Sequence, residues 1–506
     1  MHFQIASGSL ISAEADLVAI GCFQKEPLDG QKKSHPVLER ADGGSELDRL
    51  FDGEISELIA KENFTGSEGK TRLIFAAGKI PARYILLVGL GKKKELSVGG
   101  LKRIGAVLAK QAQEVKAASL SLVVQKDAIA NFSVAARMQA LVEGLILGSY
   151  RFDRYREASA RTKLTLEKVV VISNAPRAQL EKAIIRGQAI AEATCFTRDL
   201  SNTPPNDLTP MALAKIAENV AKQERLTITV WGKKELQDQK MNAFLAVAQG
   251  SVEPPVLIHL NYKPKKAKYR IALVGKAVTF DSGGISIKPS RNMHEMKSDM
   301  SGGAVVLATM LAIAQLKPDV AVDAYIPSSE NMPDAKAFKP GDIITARNGK
   351  TIEIISTDAE GRMLLADTLS YVTDGKPDYV IDLATLTGGA VYALGEIYAA
   401  VLGNDQRLID RLLSASHDAG ESVWQLPLEK RYLSGLTKGP ADLVNSGGGM
   451  AQTITATLFL SQFVGQTKWA HFDIAACAWT NEGSELCPKG GTGSMVATLV
   501  EFLSGF

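Results

Sequence analysis

The sequence predicts an α/β protein of two domains. A smaller N-terminal α/β domain is joined by a long helix to a larger C-terminal domain with a mixed, mostly parallel sheet covered by helices. Short β-branched and aliphatic runs alternate with helix-period segments along the chain, as strands buried on both faces between crossover helices do. A length of 506 residues is more than one ordinary domain holds. One long amphipathic segment, closed by a cluster of prolines, divides the chain near residue 177.

The runs that read as strands are YILLVGL (84–90), KVVVIS (168–173), YRIALVG (269–275), VAVDAYI (320–326), TIEIIS (351–356), YVIDLA (379–384) and WAHFDIA (469–475). Between them, GAVVLATMLAIAQL (303–316) and GRMLLADTLSYVT (361–373) carry the helical period. After Pro176 come apolar or small residues at 180, 183, 184, 187, 191, 194 and 195, which share one helix face. SNTPPNDLTP (201–210) ends that helix, because Pro204, Pro205 and Pro210 cannot continue its hydrogen bonds. The expected organisation is an N-terminal domain over 1–177, a linking helix over 178–203 and the larger domain over 204–506. No internal repeat or low-complexity tract interrupts it.

Hydrophobic residues make up 45% of the chain and charged residues 22%, enough apolar material for a large core. A net charge of +3 argues against a strongly charged partner. The basic clusters KKK (92–94) and KPKKAKYR (263–270) flank apolar strands and read as solvated loops, so no nucleic-acid partner is expected. Cys22, Cys195, Cys477 and Cys487 form no CxxC pair, which suits a reducing compartment. The N-terminus lacks a basic region and carries Glu14 and Asp16 early, unlike a signal peptide. LATLTGGAVYALG (383–395), bounded by Asp382 and Glu396, is too short to span a bilayer. A cytoplasmic protein with no membrane partner is the expectation.

Two glycine-lysine segments resemble phosphate-binding loops and fail. VGLGKKK (88–94) has Lys94 where the third glycine of GxGxxG belongs, and VGKAV (274–278) has Ala277 where a P-loop needs Ser or Thr.

A polar cluster does not fail. Lys276 ends the strand IALVG, Asp281 follows in TFDSGG, Lys288 in SIKP and Asp299 in MKSDM, and STDAEGR adds Asp358, Glu360 and Arg362. Ligands of open parallel sheets collect at the carboxyl ends of strands, where Lys276 and Asp358 are expected. Taken singly, Asp299 and Asp358 could favour helix starts, and Lys288 could be a surface lysine before a turn proline. Taken together, Asp281, Asp299, Asp358 and Glu360 would repel one another in a crevice unless cations neutralise them. Two divalent ions would cancel their four charges, as in two-metal hydrolases. A protonated lysine is no ligand, so Lys276 could bind metal only as the neutral amine. The six histidines form no HExxH pair.

VGKAVTFDSGGISIKP, MKSDMSGGA, ENMPDAKAFKPGD and STDAEGR resemble the leucyl (cytosol) aminopeptidases of the M17 metallopeptidase family, in the family's order and spacing. The resemblance covers about residues 180–500; the N-terminal third matches the family only in size and α/β character. It implies a metallo-exopeptidase that releases N-terminal amino acids, with a leucine-like preference, by attack of metal-activated water on the first peptide bond. Two divalent ions per subunit are implied, zinc or manganese and alternatively magnesium or cobalt. Asp281 and Glu360 would bridge them, Lys276 and Asp299 would complete the tighter site, and Asp358 the more exchangeable one. Lys288 and Arg362 match the two catalytic residues: Lys288 to stabilise the oxyanion, Arg362 to hold a bicarbonate as general base. The pocket for the first side chain would map to Met296, Thr385, Leu386 and Gly388. Peptide substrates and a homohexamer, a dimer of trimers, are also implied.

The chain departs from the family pattern at four places. Ser356 stands where the motif usually begins with Asn, and Ser301, Gly302 and Gly303 follow MKSDM where Cys is common. NSGGGMAQTITATLFL (445–460) departs from the usual glycine-rich block, and KGGTGSMV (489–496) lacks a frequent Arg-Pro. None of these is a ligand position. Two other readings are open: a two-metal phosphoesterase on the same residues, and a protein whose N-terminal domain binds nucleic acid or a partner while the metal site is vestigial.

Overall fold

In a computed structural model of the protein, residues 1–24, 37–38, 43–124 and 132–506 are described. The chain divides into two compact units, Met1–Glu192 with Gly483–Pro488, and Ala193–Glu482 with Lys489–Phe506. The helix Arg177–Asn202 carries the chain from the first unit into the second.

The first unit is a sheet in the spatial order His2–Ala6, Lys168–Ile172, Ser119–Val123, Leu17–Phe23, Tyr84–Gly91 and Thr71–Phe75. All its neighbours along this path pair in parallel except the last, an antiparallel edge. Strand alternation sends Leu17 and Ala19 to one apolar cluster and Val18 and Ile20 to another, so both faces are covered. Ser97 and Ser133 open the two helices of one face, Val98–Glu114 and Val134–Ser149, each accepting a backbone N–H three residues on.

The second unit is built on a nine-stranded sheet. Its centre, Trp469–Asp473, Tyr379–Ala384, Arg270–Gly275 and Ala321–Asn331, is parallel. Val256–Tyr262, Thr227–Trp231 and Ala399–Gly403 flank it antiparallel. The central strands are apolar on both faces because helices cover both, as RIALVG shows: every residue after Arg270 is buried. The helix Ser301–Leu316 is the core helix under this sheet. The stretch Met293–Leu316 is apolar enough and long enough to cross a bilayer, yet its most apolar part is largely buried inside the fold.

Two local features position the site. The long strand Ala321–Asn331 pairs first with Arg270–Gly275 and then with Ala277–Asp281, and Lys276 sits at the joint. Its N–H donates to Leu383 O at 3.0 Å and its carbonyl accepts from Gly303 N at 2.7 Å. A Cβ on Gly302 would lie 2.3 Å from Leu383 O, so only glycine lets the helix start approach the sheet this closely.

The second feature corrects an expectation. TIEIIS is not a strand of the main sheet. Only Thr351–Glu353 is extended, in a separate three-stranded sheet with Ile343–Thr345 and Leu443–Val444. Asp358 therefore lies on a turn beyond this small sheet, not at the end of a main-sheet strand. The ladder stops there because the backbone N–H groups of Ile355 and Ser356 donate to the side chain of Asn445.

Asp367 of the helix Gly361–Asp374 ties the neighbouring loops down by accepting from Phe244 N and Arg347 N. Burial pushes its carboxyl up to about 7. A folded pKa above the unfolded value of about 3.9 means the native state holds the extra proton between the two, so stability falls as pH rises through that window. Asp367→Asn abolishes this contribution. Its stability relative to the parent, whatever the offset, is expected to climb by as much as ~1.4 kcal/mol per pH unit between about pH 4 and 7 in urea unfolding.

Candidate active site and metal centre

All eleven residues singled out from the sequence line one cavity of about 500 Å³ in the second unit. Lys276 is 2% exposed, and its Nζ lies 2.8 Å from both Asp299 Oδ1 and Glu360 Oε1. It also donates to Thr385 O at 2.8 Å. Lys288 Nζ lies 2.7 Å from Asp281 Oδ2 and 2.5 Å from Asp358 Oδ1. Asp281, Asp358 and Glu360 each present an oxygen within 4.8 Å of the other two.

Neither Asp299 nor Asp358 is the cap of the helix that follows it. The helix Ser301–Leu316 begins at Met300 and Gly361–Asp374 at Glu360, and neither start has a side-chain cap. Asp299 turns instead to Lys276 and to Thr385, whose hydroxyl donates to Asp299 Oδ1 at 2.7 Å. Nor is Lys288 a plain surface lysine, given its two carboxylate partners.

The electrostatics are those of an acid cluster short of positive charge. Burial would strip the proton from Lys276, but Asp299, Glu360 and Asp281 outweigh it and hold the ammonium above its ordinary range. Lys288 is held up likewise by Asp281, Glu360 and Asp358 against the same burial. Burial pushes Asp299 well above the usual carboxylate range, and burial together with Asp281 lifts Asp358 to about 6. Asp299 Oδ2 is buried with no hydrogen-bond partner. These residues fit metal. Oxygen donors converge, one buried carboxylate oxygen lacks a partner, and the carboxyls gain protons where no further cation holds them off.

Arg362 is 7% exposed, and burial lowers its guanidinium to about 10 although Glu360 and Asp473 oppose the change. Nη1 donates to Asn445 O at 2.7 Å, while Nε is buried without a partner. A guanidinium with an unspent buried N–H suits a small oxyanion. Met296, Thr385, Leu386 and Gly388 line the same cavity, together with Ala475, Ala476 and Ala478.

The model of the cytosol aminopeptidase (peptidase M17) family's catalytic domain matches residues 195–500, and that of its N-terminal domain matches 19–159. The chain belongs to this family. It is a metallo-aminopeptidase, a hydrolase of peptide substrates. It is 40% identical to the probable cytosol aminopeptidase of Persephonella marina, with 99% of each chain covered. To that of Syntrophotalea carbinolica it is 42% identical over the same share of both. Among solved structures, the bottromycin maturation enzyme BotP in complex with Mn aligns with TM-score 0.84 and 35% identity, over 97% of this chain and 99% of that one.

In this aminopeptidase three further buried residues hold the site, and sequence reasoning missed them. Asn331 donates to Asp281 Oδ1 at 2.8 Å and to Thr357 O at 3.0 Å. Asp473 accepts from Leu386 N at 3.1 Å and from the Thr387 hydroxyl at 2.6 Å, fixing the loop that carries Leu386 and Gly388. Asn445 joins Ser356 to Arg362. The only signals were position: Asn331 stands within ENMPD, Asp473 closes the strand WAHFD, and Asn445 heads the divergent glycine-rich block.

The glycine of STDAEGR has a steric cause. A Cβ on Gly361 would meet Lys276 Cε at 2.7 Å and Nζ at 2.8 Å. Lys276 cannot yield freely, being pinned by Asp299, Glu360 and Thr385. Gly361→Ala is expected to leave the protein folded and to reduce metal content and peptidase activity together. Plasma mass spectrometry and an aminoacyl-p-nitroanilide assay check this, and parent-like values in both would refute the steric account.

Proposed function

We propose that the aminopeptidase releases N-terminal amino acids, with a leucine-like preference, by a di-metal mechanism in the cytoplasm. The observation that carries the reading is the convergence of Asp281, Asp358 and Glu360 with Lys276 and Asp299 in the cavity that also holds Lys288 and Arg362. Asp281 and Glu360 would face both ions, Lys276 as its neutral amine and Asp299 one of them, and Asp358 the other. When bound, the two divalent ions polarise the scissile carbonyl and acidify water.

The remaining steps fall to the chain's own groups. With the carboxylates engaged by cations, none is free as general base. Arg362 would hold bicarbonate in that role, its planar donors matching a planar oxyanion. Lys288, released from Asp281 and Asp358 as cations take its place, would donate to the oxyanion forming on the substrate. Thr385, Leu386, Met296 and Gly388 would receive the first side chain, and their mostly apolar wall with Ala475 and Ala478 supports a leucine-like residue. The family resemblance supports zinc or manganese, with magnesium and cobalt as alternatives, and a homohexamer arranged as a dimer of trimers.

The test is hydrolysis of an amino-acid-amide panel after chelation and re-addition of single metals, with p-nitrophenyl phosphate as the competing substrate. Leucinamide cleavage restored by manganese or zinc is expected; phosphatase activity in its place would transfer the site to phosphoester chemistry. Lys288→Ala is expected to lower kcat by about 10²–10³-fold with metal content retained, the usual loss for one oxyanion donor. An unchanged kcat removes Lys288 from the reaction. Arg362→Ala is expected to lose rate and bicarbonate activation together, and full bicarbonate activation in that variant sinks the base assignment.

A further inference from the structure

Asn445 is fully buried and heads the glycine-rich block that the reaction as described leaves unused. It follows directly on the strand Leu443–Val444, whose parallel pairing with Ile352 and Glu353 ends there. From that point its side-chain amide behaves as one more peptide group. Oδ1 accepts from Ile355 N at 2.8 Å and Ser356 N at 3.2 Å, and Nδ2 donates to Ser356 O at 2.7 Å. Two N–H groups on one side and a carbonyl on the other leave a single sensible orientation for the amide. The backbone is spent as well: Asn445 N donates to Glu353 O at 2.9 Å, and Asn445 O accepts from Arg362 Nη1 at 2.7 Å.

The two ends of this clamp carry different chemistry. Ser356 is two residues before Asp358, and its hydroxyl accepts from Asp358 N at 3.2 Å, so the turn held by Asn445 is the one that presents the Asp358 carboxylate. Arg362 keeps one buried N–H unspent, and the bond to Asn445 O fixes where that group points. The orientation of the guanidinium and the placement of the carboxylate turn therefore depend on one residue.

We infer that Asn445 is a positioning residue of the peptidase reaction, aligning Arg362 with its oxyanion and Asp358 with the metal-facing oxygens through a single side-chain and main-chain clamp. The inference rests on the proposed role of Arg362. It also explains how the chain manages with Ser356 at the head of the motif. The backbone of that position is held from outside by Asn445, and a hydroxyl is enough for the remaining bond to Asp358 N.

The test compares Asn445→Ala, which removes the side-chain clamp, with Asn445→Ser, which stays polar and uncharged and is the milder change should the alanine variant misfold. For either variant kcat is expected to fall by about 10–100-fold, the range seen when groups behind a metal site are removed. The half-activating bicarbonate concentration is expected to rise about as much. Line broadening of ¹³C-bicarbonate by the protein, measured without substrate, should weaken in step. A lowered melting temperature with parent-like kcat and bicarbonate response means a structural role alone and overturns the inference. Arg362→Ala run in parallel separates the two failures. If it retains bicarbonate activation, the base assignment is wrong; if it loses it while both Asn445 variants keep it, only the positioning role is wrong.

Discussion

Like charge held out of water is the constraint on which the rest of the second unit depends. Asp281, Asp299 and Glu360 are each less than a tenth exposed, and Asp358 stands beside them. Two carboxylates about 4 Å apart repel by roughly 4 kcal/mol at an effective dielectric constant near 20. Such a group survives only if cations are supplied and if the scaffold cannot relax to separate the acids. Lys276 and Lys288 supply part of the charge, each placed between two carboxylates rather than beside one. The buried Asp299 oxygen without a partner and the lifted carboxyls of Asp299 and Asp358 show that two ammonium groups do not satisfy the cluster. That incompleteness is what suits the cluster to a metal ion.

Rigidity comes from the way the backbone reaches the cluster. Lys276 sits between two strands that share one long neighbour, so both its N–H and its carbonyl are fixed from opposite sides, by Leu383 and Gly303. Asp281 ends the second of those strands and is gripped by Asn331 from the parallel neighbour. Asp473 closes another central strand and holds the Leu386–Thr387 backbone. Asp473 also raises the proton affinity of Arg362, against a burial that lowers it. A single strand-end carboxylate thus acts on the Leu386–Thr387 loop and on the Arg362 guanidinium together.

What the sequence discloses and what it hides follow from range. The runs 84–90, 168–173, 269–275 and 379–384 are legible as strands because burial on both faces leaves a continuous apolar signature. TIEIIS carries the same local signature, yet its sheet is the small one, a choice made by partners at 343–345 and 443–444 that local pattern does not reveal. Asp299 and Asp358 are ambiguous in sequence because an acid just before a helix reads as a cap. The ambiguity ends only with the position of Lys276 and Lys288. Asn331, Asp473 and Asn445 are illegible for a related reason: their site partners lie 50, 86 and 89 positions away in the chain. No spacing rule reaches that far, whereas the acids and bases of STDAEGR declare themselves within seven residues.

The same distinction explains how the turn at the head of STDAEGR is held with serine at the first position. If the first position worked through its own side chain alone, exchanging a carboxamide for the shorter hydroxyl of Ser356 would shift the turn that follows. In the structure the main chain of Ser356 is bonded on both its N–H and its carbonyl by Asn445, and Thr357 is bonded by Ser286 and Gly283. The turn is over-determined by groups outside the motif, and the Ser356 hydroxyl adds one bond to Asp358 N. Tolerance at a motif position is then a property of its neighbours in space. Here those neighbours are Asn445 at the head of the glycine-rich block and Gly283 and Ser286 beyond Asp281.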